Sequence, residues 1–269
     1  PASLKGAEAQ SELAAFKPDF LAVAAYGLIL PDAVLAMPSI DSINVHASLL
    51  PGLRGAAPIQ RAVIDGWQPD ARAGISIMRI VSKLDAGPVF ATDDLAIGEH
   101  TAGTLHDALA GIGAELLVRV FDDILDGKGK AVEQDDALAT YAPKISKEDG
   151  FIDWSLPAAQ VHARVRGVTP WPGARTVFET IGADGSQRAP LSLILAPGRV
   201  GECTEGQAPG SVLAGPDGLS IACADSWYVL STVRPQGKKD MSARDLLNGI
   251  LRDLPKGVCG FARVPAAGE

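Results

Sequence analysis

Apolar and polar residues alternate along this chain with two different rhythms, and the change of rhythm divides it. DFLAVAAYG (19–27) is a short continuous apolar run closed by Gly27, which predicts a strand buried on both faces of a parallel sheet. PDAVLAMP then reads as a short helix, with Pro31 at its start and Pro38 beyond its end. SINVH (42–46) predicts a second strand, and APIQRAVIDG (57–66) a helix with Pro58 in its first turn and Gly66 as its C-cap. AGISIMRI (73–80) sets Ile75, Ile77 and Arg79 against Ser76, Met78 and Ile80, a third strand, and GPVFATDDLAI (87–97) suggests a fourth. Strands alternating with helices imply an α/β unit with a largely parallel sheet. Leu105, Leu109, Ile112, Leu116, Val120 and Ile124 then recur every three or four residues, predicting a long helix capped by Thr101 or Thr104 and ended by DGKGK.

The pattern shifts after that helix. Residues 131–150 are polar and turn-like, as expected of a linker, and LPAAQVHARVRG (156–167) is one amphipathic helix closed by Gly167. Short β-like runs follow at ARTVFET (174–180), LSLILAPGRV (191–200), GSVLAGPDG (210–218), LSIACA (219–224) and WYVLSTV (227–233). Glycine-containing turns separate them at roughly ten-residue spacing, the signature of a small barrel or sandwich. MSARDLLNGI (241–250) predicts a helix with Ser242 as its N-cap. The expected organisation is therefore a first domain over 1–130, a linker over 131–155 and a second domain over 156–269.

Composition adds limits. Of 269 residues 47% are hydrophobic and 21% charged, a soluble globular balance, and no apolar run approaches the roughly 20 residues of a membrane span. The first residues, PASLKGAEAQ, show no basic n-region or apolar h-region, so no signal peptide is expected. Cys203, Cys223 and Cys259 are widely spaced with no CxxC pair, which argues against a disulfide framework or a zinc site and for a cytoplasmic protein. The net charge of −8 is unevenly spread: residues 1–155 hold 12 Lys/Arg against 22 Asp/Glu, and residues 156–269 hold 12 against 10. That asymmetry permits a basic face on the C-terminal half that meets phosphates, although a solvated mixed-charge surface reads the same way.

The residues with chemistry gather at strand ends. Asn44 and His46 lie two apart at the carboxyl end of the second strand, so both side chains face one space. An amide donor beside a group that donates, accepts or titrates near neutrality suits stabilisation of an oxyanion together with proton handling. Asp85 sits in the loop that follows the carboxyl end of the third strand, within reach of His46 in the same crevice, where a carboxylate would orient the imidazole and favour its protonated form. Taken alone, a His near a strand end is more often a satisfied structural residue, and an Asp in such a loop is often a turn former. Walker, GxGxxG, GxSxG and HExxH patterns are absent from the sequence, and His100, His106 and His162 stand apart from metal-ligand spacing. Trp154, Trp171 and Trp227 read as packing residues.

The string itself says more. INVHASLLPGLRGAAPIQRAVIDG resembles the signature of the folate-dependent formyltransferases, Asn-x-His-x-Ser-Leu-Leu-Pro followed by an Asp in an LDxG loop. AYGLILP, RGAAPIQRA, YAPKISKEDGFIDWS, TPWPGA and RPQGKKDMSARDLLNG resemble the branch of that family acting on methionyl-tRNA, and the likeness runs along nearly the whole chain. The resemblance implies a Rossmann-like, mostly parallel sheet followed by a small OB-like β-barrel. It implies transfer of the formyl group of 10-formyltetrahydrofolate to the α-amino group of methionyl-initiator tRNA, without a metal, by a monomer. Asn44, His46 and Asp85 match the catalytic trio. Folate would lie against Tyr26, Gly27, Leu28, Ile29, Ser48, Leu49, Leu50, Pro51, Leu84 and Gly87, and tRNA phosphates would meet Arg164, Arg166, Lys238 and Lys239. The chain departs from the pattern at its front. The family's first strand, its GTPxF-like loop and a basic loop have no counterpart here, so a sheet lacking strands, with an open edge, is expected. Other acceptors, a sugar amine or water, and an inactive binding remnant are the competing expectations.

Overall fold

The computed structural model describes residues 3–182, 184–204, 206–216 and 218–264, and these form two compact units. The first comprises 1–62, 72–96 and 105–144; the second comprises 63–71, 97–104 and 145–269. The elements of the first part of the chain are α1 (Ala7–Ala15), β1 (Phe20–Ala24), α2 (Asp32–Leu35), β2 (Asp41–His46), β3 (Arg54–Gly55), α3 (Pro58–Asp65), β4 (Arg72–Arg79), β5 (Val89–Ala96), α4 (Ala102–Leu125) and β6 (Tyr141–Ala142).

Among the described residues the sheet of the first unit has the order β1-β2-β4-β5. Its first pair is parallel, with Val23 opposite Asn44, but β4 runs antiparallel to β2 and β5 antiparallel to β4. The sheet is mixed, which corrects the expectation of a mostly parallel one. The reason is that burial on two faces makes a strand read as a continuous apolar run whichever way it points. β4 is buried at every position from Ala73 to Met78, so its composition carried no direction. Helix α4 packs through its Leu105, Leu109, Leu116 and Val120 stripe, as its periodicity predicts. At Gly113 it approaches the sheet so closely that a Cβ would stand 3.1 Å from Val45 Cγ1.

Residues 131–144, read from composition as linker, belong to the first unit: Tyr141–Ala142 pairs in parallel with Arg54–Gly55. Helix α1 carried too weak an apolar stripe to be anticipated, with only Ala9 buried.

The second unit holds α5 (Ala158–Gly167), β7 (Ala174–Thr180), β8 (Leu191–Leu195), β9 (Arg199–Cys203), β10 (Ser211–Gly215), β11 (Gly218–Ala222), β12 (Ser226–Val229), β13 (Thr232–Pro235), β14 (Met241–Ser242), α6 (Ala243–Asn248) and β15 (Gly257–Arg263). The strands form an antiparallel sheet of order β14-β13-β8-β7-β15-β10-β11-β12-β9. Only Leu230 and Ser231 separate β12 from β13, a span of at most about 11 Å. In a flat sheet their positions would lie six strand spacings, about 29 Å, apart. The sheet is therefore strongly curled, a half-barrel, with Phe178, Leu193, Leu219 and Ile221 among its buried side chains. Ser242 caps α6 by accepting the Asp245 N–H at 3.0 Å, as its position predicts.

Candidate active site

Strand β2 delivers the central pair. Ile43 is fully buried beneath the sheet while Asn44 and His46, two apart, project from the other face. His46 is 6% exposed, and Asn44 is half-buried with an amide that makes no hydrogen bond among the described residues. An amide held on a rigid strand and left uncommitted is a donor available to a ligand.

The loop after β2 folds tightly and is fixed at both ends. Buried Ser76, opposite His46 in the sheet, donates through Oγ to the Ser48 carbonyl at 2.7 Å and accepts the Leu50 N–H at 3.0 Å. Ser48 Oγ closes the turn on the Gly52 carbonyl at 2.6 Å. Thr140 then receives the Leu53 N–H on its hydroxyl at 2.8 Å and the Arg54 N–H on its carbonyl at 2.9 Å. These bonds hold the Leu53 carbonyl 3.2 Å from His46 Nε2.

Asp85 reaches the same ring from the other side, with Oδ1 3.8 Å from His46 Nδ1. An imidazolium can give a proton toward each of these acceptors; a neutral ring serves only one. The route of Asp85 differs from the one its sequence position implies. Because β4 runs antiparallel to β2, the loop 80–88 leaves the sheet at the level of Ile43, opposite Arg79, and folds back to reach His46. Arg79 N–H meets the Pro88 carbonyl at 2.9 Å at the base of this excursion. Gly87 is there because a Cβ would stand 1.9 Å from the Arg79 carbonyl oxygen.

Three residues that the sequence did not single out hold the loop. The Gly55 N–H donates to Asp85 Oδ2 at 2.8 Å. Gln134 donates through Nε2 to the Asp85 carbonyl at 2.9 Å and to the Gly87 carbonyl at 2.7 Å. Arg54, 1% exposed, donates to Gln134 Oε1 from Nε at 3.1 Å and Nη2 at 2.7 Å, and to Asp136 Oδ1 from Nη1 at 2.8 Å. The one available signal was Arg54, a lone cation in the small apolar run GLRGAAP; Gln134 lay in a stretch that composition alone assigns to a linker. Lys83 also bonds Asp136, and together with Arg54 it holds that carboxyl below the usual carboxylate range.

The residues expected to meet folate divide into two sets. Leu28, Ile29, Leu49 and Leu84 are exposed apolar side chains, at 60%, 86%, 39% and 60%, on the loops that follow β1, β2 and β4. Tyr26 and Gly27 lie with Leu28 beyond the carboxyl end of β1, the strand beside β2. Leu50 and Pro51 are half-buried in the turn after His46. Ser48 and Gly87, by contrast, are buried: Ser48 is engaged with the backbone of its own loop, and the Gly87 carbonyl accepts from the Gln134 side chain.

The basic residues of the second unit also divide. Lys238 and Lys239 are exposed in the turn between β13 and β14. Arg164 is partly covered, with Nη1 3.7 Å from Asp149 Oδ1. Arg166, also expected at a phosphate, is buried and donates from Nη1 to the Gly98 carbonyl at 2.5 Å and the His100 carbonyl at 3.0 Å. Desolvation lowers its pKa from the ordinary arginine value. Its charge holds a backbone segment, and helix periodicity could not distinguish that from exposure. Of the tryptophans, Trp154 is buried with Nε1 donating to Thr176 Oγ1 at 3.1 Å, whereas Trp171 is 52% exposed.

Comparison with known proteins gives the chain's relatives. Residues 1–121 match the family model described as formyl transferase, and residues 144–251 match the formyl transferase C-terminal domain. The chain is 64% identical over 265 residues to a methionyl-tRNA formyltransferase of Desulfovibrio desulfuricans, covering 98% of this chain and 79% of that protein. It is 44% identical over 250 residues to one from Pseudomonas putida, covering 92% and 76%. Among solved structures, HypX from Aquifex aeolicus in complex with tetrahydrofolic acid shares the fold, with a TM-score of 0.61 at 18% identity, over 92% of this chain and 41% of that one. The methionyl-tRNA formyltransferase from Clostridium thermocellum does so with a TM-score of 0.52 at 17% identity, over 74% and 78%.

Proposed function

Because the chain belongs to the formyl transferase family, we propose that it moves the formyl group of 10-formyltetrahydrofolate onto the α-amino group of methionyl-initiator tRNA. The observation that carries the reading is the convergence of Asn44, His46 and Asp85 on one face of the first unit's sheet, with Asp85 3.8 Å from the imidazole.

In this reaction the neutral amine attacks the formyl carbon, a new C–N bond forms, and the carbonyl π electrons move onto oxygen. The Asn44 amide and a protonated His46 stabilise that oxyanion. Collapse of the tetrahedral intermediate breaks the bond to N10 of the folate, which takes up a proton as it leaves. The attacking nitrogen loses a proton toward Asp85, directly or through water. The exposed Leu28, Ile29, Leu49 and Leu84 offer apolar cover to a flat folate ring, with Tyr26 and Gly27 beside them.

The second unit, read as an OB-like barrel, holds the tRNA, with Lys238 and Lys239 as phosphate contacts and Arg164 beside them in role. The curled sheet and the basic balance of residues 156–269 support that part. The same reading takes the protein to act in the cytoplasm, beside its tRNA substrate, and as a monomer. The test supplies 10-formyltetrahydrofolate with methionyl-initiator tRNA, an amino sugar nucleotide, or water alone. Formyl transfer to the tRNA is expected; formate release or formylation of the sugar amine in its place would overturn the reading.

A further inference from the structure

Asp85 adopts φ +48°, the left-handed region, which is uncommon for a residue with a Cβ and is held where the surroundings over-determine it. Here the surroundings are specific. The Gly55 N–H binds the carboxylate, and Gln134 Nε2 binds the carbonyl of Asp85 itself and that of Gly87 two residues on. The orientation of the Gln134 amide is dictated by its partners: two carbonyls can only accept and a guanidinium can only donate. Oε1 must therefore face Arg54, which grips it from two nitrogens, and Nε2 must face the loop.

We propose that Gln134 is a positioning residue for formyl transfer: held by buried Arg54, it keeps the Asp85 backbone in the conformation that turns its carboxylate to His46. The inference rests on the functional reading above. Arg54 acts twice, since the residue after it supplies the Gly55 N–H. Its side chain and its neighbour's backbone thus converge on one aspartate from opposite ends. A glutamine that merely filled space would not need both an acceptor facing a buried cation and a donor facing two loop carbonyls.

Gln134→Glu separates positioning from packing. It keeps size and the acceptor for Arg54, so the fold should hold, but it replaces the donor with an oxygen facing two carbonyl oxygens. Turnover of 10-formyltetrahydrofolate and methionyl-tRNA should fall about tenfold to a hundredfold with the thermal midpoint preserved. Gln134→Met, which removes both functions, should fall as far in turnover and lower the midpoint as well. In an Asp85→Ala background, Gln134→Glu should cost nothing further, because the residue acts through Asp85. A parent that is active while Gln134→Glu keeps its rate would overturn the inference alone. So would a full additional loss in the Asp85→Ala background. A folded parent inactive toward these substrates would overturn the functional reading and this inference with it.

Discussion

His46 Nδ1 stands 3.8 Å from Asp85 Oδ1, while the second oxygen of the same carboxylate accepts the Gly55 N–H at 2.8 Å. One oxygen is fixed to the backbone so that the other can face the imidazole. Asp85→Asn keeps the shape and removes the charge. Turnover should drop by about 10²–10⁴ while the thermal midpoint moves little. Steady-state rates beside a melting curve check this, and a rate within a few-fold of the parent would remove Asp85 from the mechanism.

Asn44 is assigned to the oxyanion because its amide is uncommitted and shares a face with His46. Asn44→Ala should lower kcat by about 10²–10³ and leave KM near that of the parent. The opposite split, a raised KM at unchanged kcat, would make Asn44 a ground-state binding residue instead.

Much of this was legible in the chain, and the failures have definite causes. The period-two pair Asn44 and His46 and the Ser242 cap could be read locally, because each depends on neighbours in sequence. Strand direction could not. β4 is buried on both faces, so its residues are silent about orientation, and Asp85 arrives at His46 by folding back rather than by following a parallel strand. Arg54 and Gln134 are 80 residues apart, and each is ordinary until the fold joins them. Arg166 lies one helical residue beyond Val165 in a basic stretch, and only the packing of the Gly98 and His100 carbonyls against it shows its use.

Asp136 gives the network a pH signature. Hydrogen bonds from Lys83 and then Arg54 hold its carboxyl below the usual range, so its contribution to stability is fully present above the unfolded carboxylate pKa, about 4. That contribution is lost as pH falls through the lowered folded value. Asp136→Asn should therefore be less stable than the parent near neutrality and less sensitive to acid. Urea midpoints measured from about pH 7 down to about pH 3 test the sign; parallel curves for the two proteins would contradict it.

The basic residues of the second unit should separate by role. Arg166→Met leaves the Gly98 and His100 carbonyls without their donor and should destabilise by about 1–3 kcal/mol. Lys238→Ala with Lys239→Ala should leave stability within about 0.5 kcal/mol. The same pair should weaken tRNA binding and flatten its dependence on log salt by about one to two. Unchanged tRNA affinity in the lysine pair would move the phosphate-binding surface elsewhere.

The most direct measurement incubates the protein with 10-formyltetrahydrofolate and methionine-charged initiator tRNA, then identifies the aminoacyl group by mass after mild base release. The parent should yield formylmethionine, and His46→Ala, folded to the same melting temperature, should yield almost none. Formylmethionine formed equally by both proteins, or by neither, would contradict the assignment of this site to formyl transfer.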